Sequence, residues 1–126
     1  MAREEKVFVS WVAPSLNRVY AGVHWRTRKA WADEGHLAVK AAVGRGLKKF
    51  DSPVSLEFTP IRGAGKKKAY DISNYALTIK IIEDGLVWCG VLVDDTNKWV
   101  RRVITNAPIK GEETGMVVVI KEIEEG

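Results

Sequence analysis

The 126-residue chain suits one domain with one modest core, and its 46% hydrophobic and 29% charged content is that of a folded domain rather than a disordered tail. Its longest aliphatic run, residues 116–120, is too short to span a bilayer, residues 1–11 lack the apolar core of a secretory signal, and the single cysteine, Cys89, excludes an internal disulfide. No membrane association is expected, and a cytoplasmic location is the expectation. The net charge of +4 is unevenly spread: residues 1–50 carry ten Lys/Arg against four Asp/Glu, and residues 83–126 carry five against nine. That asymmetry suits a protein that holds a polyanion on one surface and a metal on another, although solvated surface charge produces the same numbers.

"KVFVSWV" (6–12) alternates and reads as a strand, apolar enough to be buried on both faces. Pro14, Ser15 and Asn17 turn the chain. From Thr27 to Phe50, Ala30, Trp31, Leu37, Ala38, Ala41, Ala42 and Leu47 keep helical spacing, with a kink or an early end at Gly44. "VSLEFTPI" (54–61) alternates as a second strand ended by Pro60. A glycine-rich basic loop, "RGAGKKK" (62–68), leads to Asp71, which fits the N-cap of a second helix. Ile72, Tyr75, Ile79, Ile82 and Leu86 mark the buried face of that helix, and Gly85 or Gly90 ends it. Residues 94–97 form a turn before a strand from about Trp99, and "GMVVVIKEI" (115–123) is the last strand. The expected fold is α+β: one domain over residues 1–126, order β-α-β-α-β-β, a mixed sheet with two helices. A short extra strand near Val91 and a fraying acidic C-terminal tail complete it.

Several common arrangements are missing. "GAGKKK" lacks the spacing of a phosphate-binding loop, and one cysteine with only His24 and His36 makes a structural zinc site a poor fit. Cys89, in "VWCGV", reads as a packed residue. The carboxylates remain. Asp71 heads a helix, and Asp94 and Asp95 sit in a turn that begins a strand. Element ends at one sheet edge converge, so such acids can share a hard cation. A helix cap and a polar turn are the commoner uses of the same residues. Lys80 and Asp84 are one helical turn apart, as an exposed ion pair would be, and either can reach a site beside the helix. Lys66, Lys67 and Lys68 can neutralise phosphate. "NRVYAGVHWRTRKAW" (17–31) interleaves Arg18, Arg26, Arg28 and Lys29 with Tyr20, Trp25 and Trp31, a mix that binds phosphates and stacks on bases; Trp25 is the one expected to be exposed.

Three segments, in order, resemble the RusA-type Holliday-junction resolvases, phage and prophage relatives included. "WVAPSLNRVY" resembles their first strand and Pro-Ser-x-Asn segment, "YDISNYALTIKIIEDGL" their Asp-x-Asp-Asn helix start, and "GVLVDDTNKWV" their Asp-Asp segment. The similarity runs from about Phe8 to Ile123. It implies a homodimeric, Mg²⁺-dependent endodeoxyribonuclease, with Mn²⁺ as a substitute, that nicks four-way or other branched DNA. It implies that Asp71, Asn74, Asp94 and Asp95 form the site, with Asp71 and Asp95 holding the metal. Beside it, the residues themselves lead one to expect Asp94 and Asp84 in support of the metal, Lys80 as a catalytic residue on the phosphate, and Asn74, Asn17, Arg18, Arg26, Arg28, Lys66, Lys67 and Lys68 against DNA. Two positions depart from the pattern. Ser73 stands where the second family acid is expected, and Leu77 where a lysine is usual, with Lys80 nearby. A DNA-binding or protein-interaction module with a weakened metal site is the alternative on the same fold.

Overall fold

A computed structural model describes residues 2–44, 46–64 and 69–123. In chain order it has β1 (Glu4–Val9), α1 (Leu16–Tyr20), α2 (Trp25–Val43), β2 (Val54–Arg62), a 3₁₀ turn (Ile72–Tyr75), α3 (Ala76–Trp88), β3 (Val100–Thr105), β4 (Ile109–Lys110) and β5 (Gly115–Glu122). The α+β class and the single mixed sheet are as the sequence leads one to expect. The sheet order is β1-β5-β2-β3, with β4 also on β2. β5 runs antiparallel to both β1 and β2, while β3 and β4 run parallel to β2. A parallel pair needs a crossover, and α3 supplies it between β2 and β3.

Alternation in β2 sets the layers. Val54, Leu56, Phe58 and Pro60 are buried, whereas Ser55, Glu57 and Thr59 are half-exposed. The buried set joins Val7 and Val9 of β1, Met116, Val118 and Ile120 of β5, and Ile79, Ile82 and Leu86 of α3 in one core, which α2 enters with Val39. β1 is therefore buried on one face only: Phe8 is partly exposed, and the strand ends at Val9, before Trp11. Helices α2 and α3 approach closely at Gly35, where a Cβ would run into Ile81 and the Trp11 ring. Gly44, at φ +60°, ends α2 after Val43, as its position suggests.

Pro60 does not end β2. It lies inside the strand, opposite Met116 of β5. Its nitrogen, which has no hydrogen to donate, follows the parity of Phe58, whose carbonyl accepts from Asn106 N (2.9 Å), and of Arg62, whose carbonyl accepts from Gly111 N (2.9 Å). The missing donor thus falls in the gap between β3, which pairs as far as Phe58, and β4, which starts opposite Ile61. The Asn106 side chain spans the gap, donating to Glu57 Oε2 (2.7 Å) and Thr59 Oγ1 (2.9 Å).

Three further elements differ from the sequence expectation. Residues 16–20 form a short helix instead of a turn, because Ser15 is in the extended N-cap conformation from which a helix can start. The extra strand is β4 and not a segment near Val91; Val91 instead bends back, its nitrogen on the Leu86 carbonyl at 2.9 Å. Asp71 occupies the cap position of the 3₁₀ turn, but its side chain makes no capping bond, and its backbone carbonyl accepts from Asn74 N at 2.9 Å. The start of α3 is held from outside: buried Thr78 accepts Ala13 N on Oγ1 (2.9 Å), Tyr70 donates its hydroxyl to the Ala13 carbonyl (3.2 Å), and Tyr70 N donates to the Tyr75 hydroxyl (3.0 Å). The tail residues 124–126 lie outside the described residues.

Thr78→Val keeps the shape but leaves the Ala13 amide unpaired in the interior. It should lower unfolding free energy by about 1–3 kcal/mol in urea titration, while Thr78→Ser, which keeps the acceptor oxygen, should cost less.

Candidate functional site

Helical spacing places Ser73, Lys80 and Asp84 on one side of the 3₁₀ turn and α3, because seven residues are nearly two turns and four are one. The connection from α3 to β3 returns alongside that stripe. It is pinned at its start, where Val91 N and Leu92 N both donate to the Leu86 carbonyl, and at its end, where Trp99 N and Val100 N both donate to the Thr96 carbonyl. Between those anchors Asp95 meets Lys80: Nζ donates to Oδ2 at 2.7 Å. The same ammonium lies 3.3 Å from Asp84 Oδ1. The i,i+4 pair expected from the sequence is therefore present, and a second carboxylate, fifteen residues from Lys80, joins it.

The electrostatics follow from this geometry. The hydrogen bond to Asp95, assisted by Asp84, holds the Lys80 ammonium well above the usual lysine range against a smaller opposing effect of burial. The Lys80 hydrogen bond in turn holds the Asp95 carboxyl below its ordinary value. Glu83, half-buried beside them, is pushed up by burial, partly offset by Lys80. Asp94 lies beside Asp95, its Oδ1 accepting the Asp95 amide at 2.8 Å.

A cavity of about 300 Å³ runs along this side of the helix, lined by Ile72, Ser73, Ala76, Lys80, Glu83 and Thr105, the last residue of β3. Ser73 and Lys80 thus open into one space. Asp71 is at the far end. Nine residues separate it from Lys80, about 15 Å of axial rise for a 3₁₀ turn followed by α-helix. Among the described residues it makes no side-chain hydrogen bond or ion pair, and no set of three or more His, Cys, Asp and Glu is arranged to hold a metal ion. The structure therefore brings Asp84 and Asp95 together, turns Asp94 onto its own loop, and leaves Asp71 out of the cluster. Two carboxylates converging on one cation are a hard-oxygen donor pair, which suits Mg²⁺ held largely by water and substrate phosphate and is too small for a closed protein cage.

Of the residues expected to meet DNA, Asn17 and Arg18 lie exposed on α1, which packs on the 3₁₀ turn carrying Ser73 and Asn74. The Arg18 guanidinium sits 5.5 Å from the Trp31 ring centre. Trp25, exposed as expected at 58%, has Arg26 over its ring at 5.4 Å, and Arg28 is exposed on the same helix. Lys66, Lys67 and Lys68 lie outside the described residues. Glu83 and Thr105 escaped the sequence reading. Glu83 had a signal, since it is a charge three residues after Lys80 on an otherwise apolar helix; Thr105 had none, because only the parallel pairing of β3 brings it there.

Lys80→Met should move the Asp95 titration back up, toward or above the ordinary carboxylate range, as read by carboxyl ¹³C NMR, because Asp84 and Glu83 then become its main charged neighbours. Asp95 is depressed, so its stabilising contribution is present above the unfolded pKa near 3.9 and is lost as pH falls through the folded value; Lys80 is raised, so its contribution is present below about 10.4 and is lost as pH rises further. In this solvent-screened pair the effect should be about 1 kcal/mol or less, seen as wild-type and Lys80→Met stabilities that differ near neutrality and converge in acid.

No family model matches the chain, and no curated protein matches it.

Proposed function

We propose that this protein is a metal-dependent endodeoxyribonuclease of the RusA type, acting on four-way or other branched DNA. The observation that carries the reading is the convergence of Asp84 and Asp95 on Lys80 at the wall of the Ser73–Thr105 cavity. A scissile phosphodiester in that cavity would lie against the Lys80 ammonium, which neutralises charge on the phosphoryl oxygens, and beside the Ser73 hydroxyl, which donates a hydrogen bond without adding charge. Asp95 and Asp84 are the residues that would hold Mg²⁺, or Mn²⁺ in its place. When bound, the cation supplies Lewis-acid polarisation of the phosphoryl group and an activated water for in-line attack. Arg18, Arg26 and Arg28, with the exposed Trp25, form the DNA-facing flank. Asp71 would join the cluster only with a shift of the helix start. A homodimer suits a two-fold symmetric four-way junction, since two identical sites then face symmetry-related strands.

A second reading is favoured by one specific observation. Lys80 already pairs with both carboxylates, and Ser73 removes an acid from the family pattern, so less negative charge is left to hold a divalent ion. On this reading the protein binds branched DNA and does not cut it.

A labelled synthetic four-way junction separates the two. With Mg²⁺ or Mn²⁺ the wild type should nick it, and EDTA should stop the reaction. Asp95→Asn should lower the cleavage rate by at least roughly 100-fold while junction affinity stays within a few-fold. Junction binding without nicking under either metal establishes the second reading; unchanged cleavage by Asp95→Asn removes the site assignment.

A further inference from the structure

The C-terminal end of β2 carries a feature that the acid cluster does not explain. Arg62 and Lys110 are register partners on the parallel strands β2 and β4, so two like charges stand side by side on one face of the sheet. Like charges directly opposed destabilise a strand pair unless something of opposite sign lies between them. Among the described residues no ion pair involves either one. The carboxylate of nearby Glu113 is engaged elsewhere, accepting the Ser10 hydroxyl at 2.6 Å. Arg62 and Lys110 also line a cavity of about 290 Å³ whose other walls are Gly63, Ala64 and Gly111, with no acid among them.

At both glycines the backbone packs too closely on its neighbours to carry a side chain. A Cβ on Gly111 would run into Ile61, and one on Gly63 would come within 2.7 Å of Thr114 Oγ1. Their amides are already used, Gly63 N on Thr114 Oγ1 at 3.0 Å and Gly111 N on the Arg62 carbonyl at 2.9 Å. Attraction for an anion therefore comes from the two side chains. Arg62 shares the parity of Leu56, Phe58 and Pro60, so it leaves the sheet on the face covered by the helices. Thr105, in the wall of the Lys80 cavity, is five residues before Lys110, at most about 17 Å along the chain. Both cavities thus open at the carboxyl ends of the parallel strands.

We propose that Arg62 and Lys110 clamp a phosphodiester of the nucleic-acid strand whose neighbouring segment enters the Lys80 cavity. Arg62 offers a planar fork to the phosphate oxygens and Lys110 a point charge, a pairing matched to an anion with two free oxygens. The clamp rests on the DNA-directed reading of the site and specifies where the strand runs.

The test is binding of a fluorescein-labelled synthetic four-way junction in EDTA, measured across about 50–300 mM NaCl for wild type, Arg62→Ala/Lys110→Ala, and a Lys6→Ala/Lys121→Ala control on the β1–β5 side of the sheet. Each lost phosphate contact removes about 0.7–0.9 from the slope of log affinity against log salt. The clamp double variant, which loses one phosphate contact, should flatten the slope by about 0.7–0.9 and bind roughly 10-fold more weakly at 100 mM salt, whereas the control keeps the wild-type slope. Circular dichroism checks folding; if the double variant does not fold, Arg62→Gln and Lys110→Gln singly should each flatten the slope by about half as much. A wild type that binds the junction alongside a clamp variant with unchanged slope overturns the clamp and leaves the DNA reading intact. A wild type with no salt-dependent junction affinity overturns both.

Discussion

The parallel pairing of β2 with β3 is the constraint from which the rest of the molecule follows. Parallel neighbours cannot be joined by a hairpin, so the chain must cross the sheet, and α3 is that crossing. The return from α3 to β3 then has to run back beside the helix. That path brings Asp95 to Lys80, although fifteen residues separate them. An antiparallel β2–β3 pair would have needed no such return, and the carboxylates of helix and loop would have had no reason to meet.

Lys80 is the hub of the resulting cluster, and its bonding gives the site two uses. As a counter-ion it draws Asp84 and Asp95 together and favours the charged form of Asp95. On the nuclease reading proposed above, it would also meet a phosphate from the cavity wall. The two roles compete for one ammonium group, so an arriving phosphate would release a carboxylate oxygen as it takes the lysine. Glu83 adjoins this cluster, its carboxyl raised by burial and drawn back in part by Lys80.

Much of the fold was legible because its signals are local. Alternation in residues 54–61 and 115–123, helical spacing before Gly44, and the glycine at φ +60° that ends α2 all act within a few residues. The Lys80–Asp84 pair was legible for the same reason. Asp71 was read as a cap by residue type; the position is right, but in a 3₁₀ turn the backbone carbonyl takes the amide that the side chain would have taken. Asp94 and Asp95 stood out from the sequence as turn acids, but the meeting of Asp95 with Lys80 was not legible, since its partner is chosen by the path of a loop. Arg62 and Lys110 were not legible as a pair, because a two-residue strand has no periodicity of its own.

Pro60 has a consequence at the outer rim of the sheet. An edge strand with an unbroken row of amides and carbonyls is a template on which another chain can add a strand. Here the rim is split into a six-residue piece and a two-residue piece by a position that cannot donate, and Asn106 closes the break with side-chain bonds. A strand adding on this edge could follow β3 but would meet the break before β4, so the proline limits how far another chain can extend along this side of the sheet.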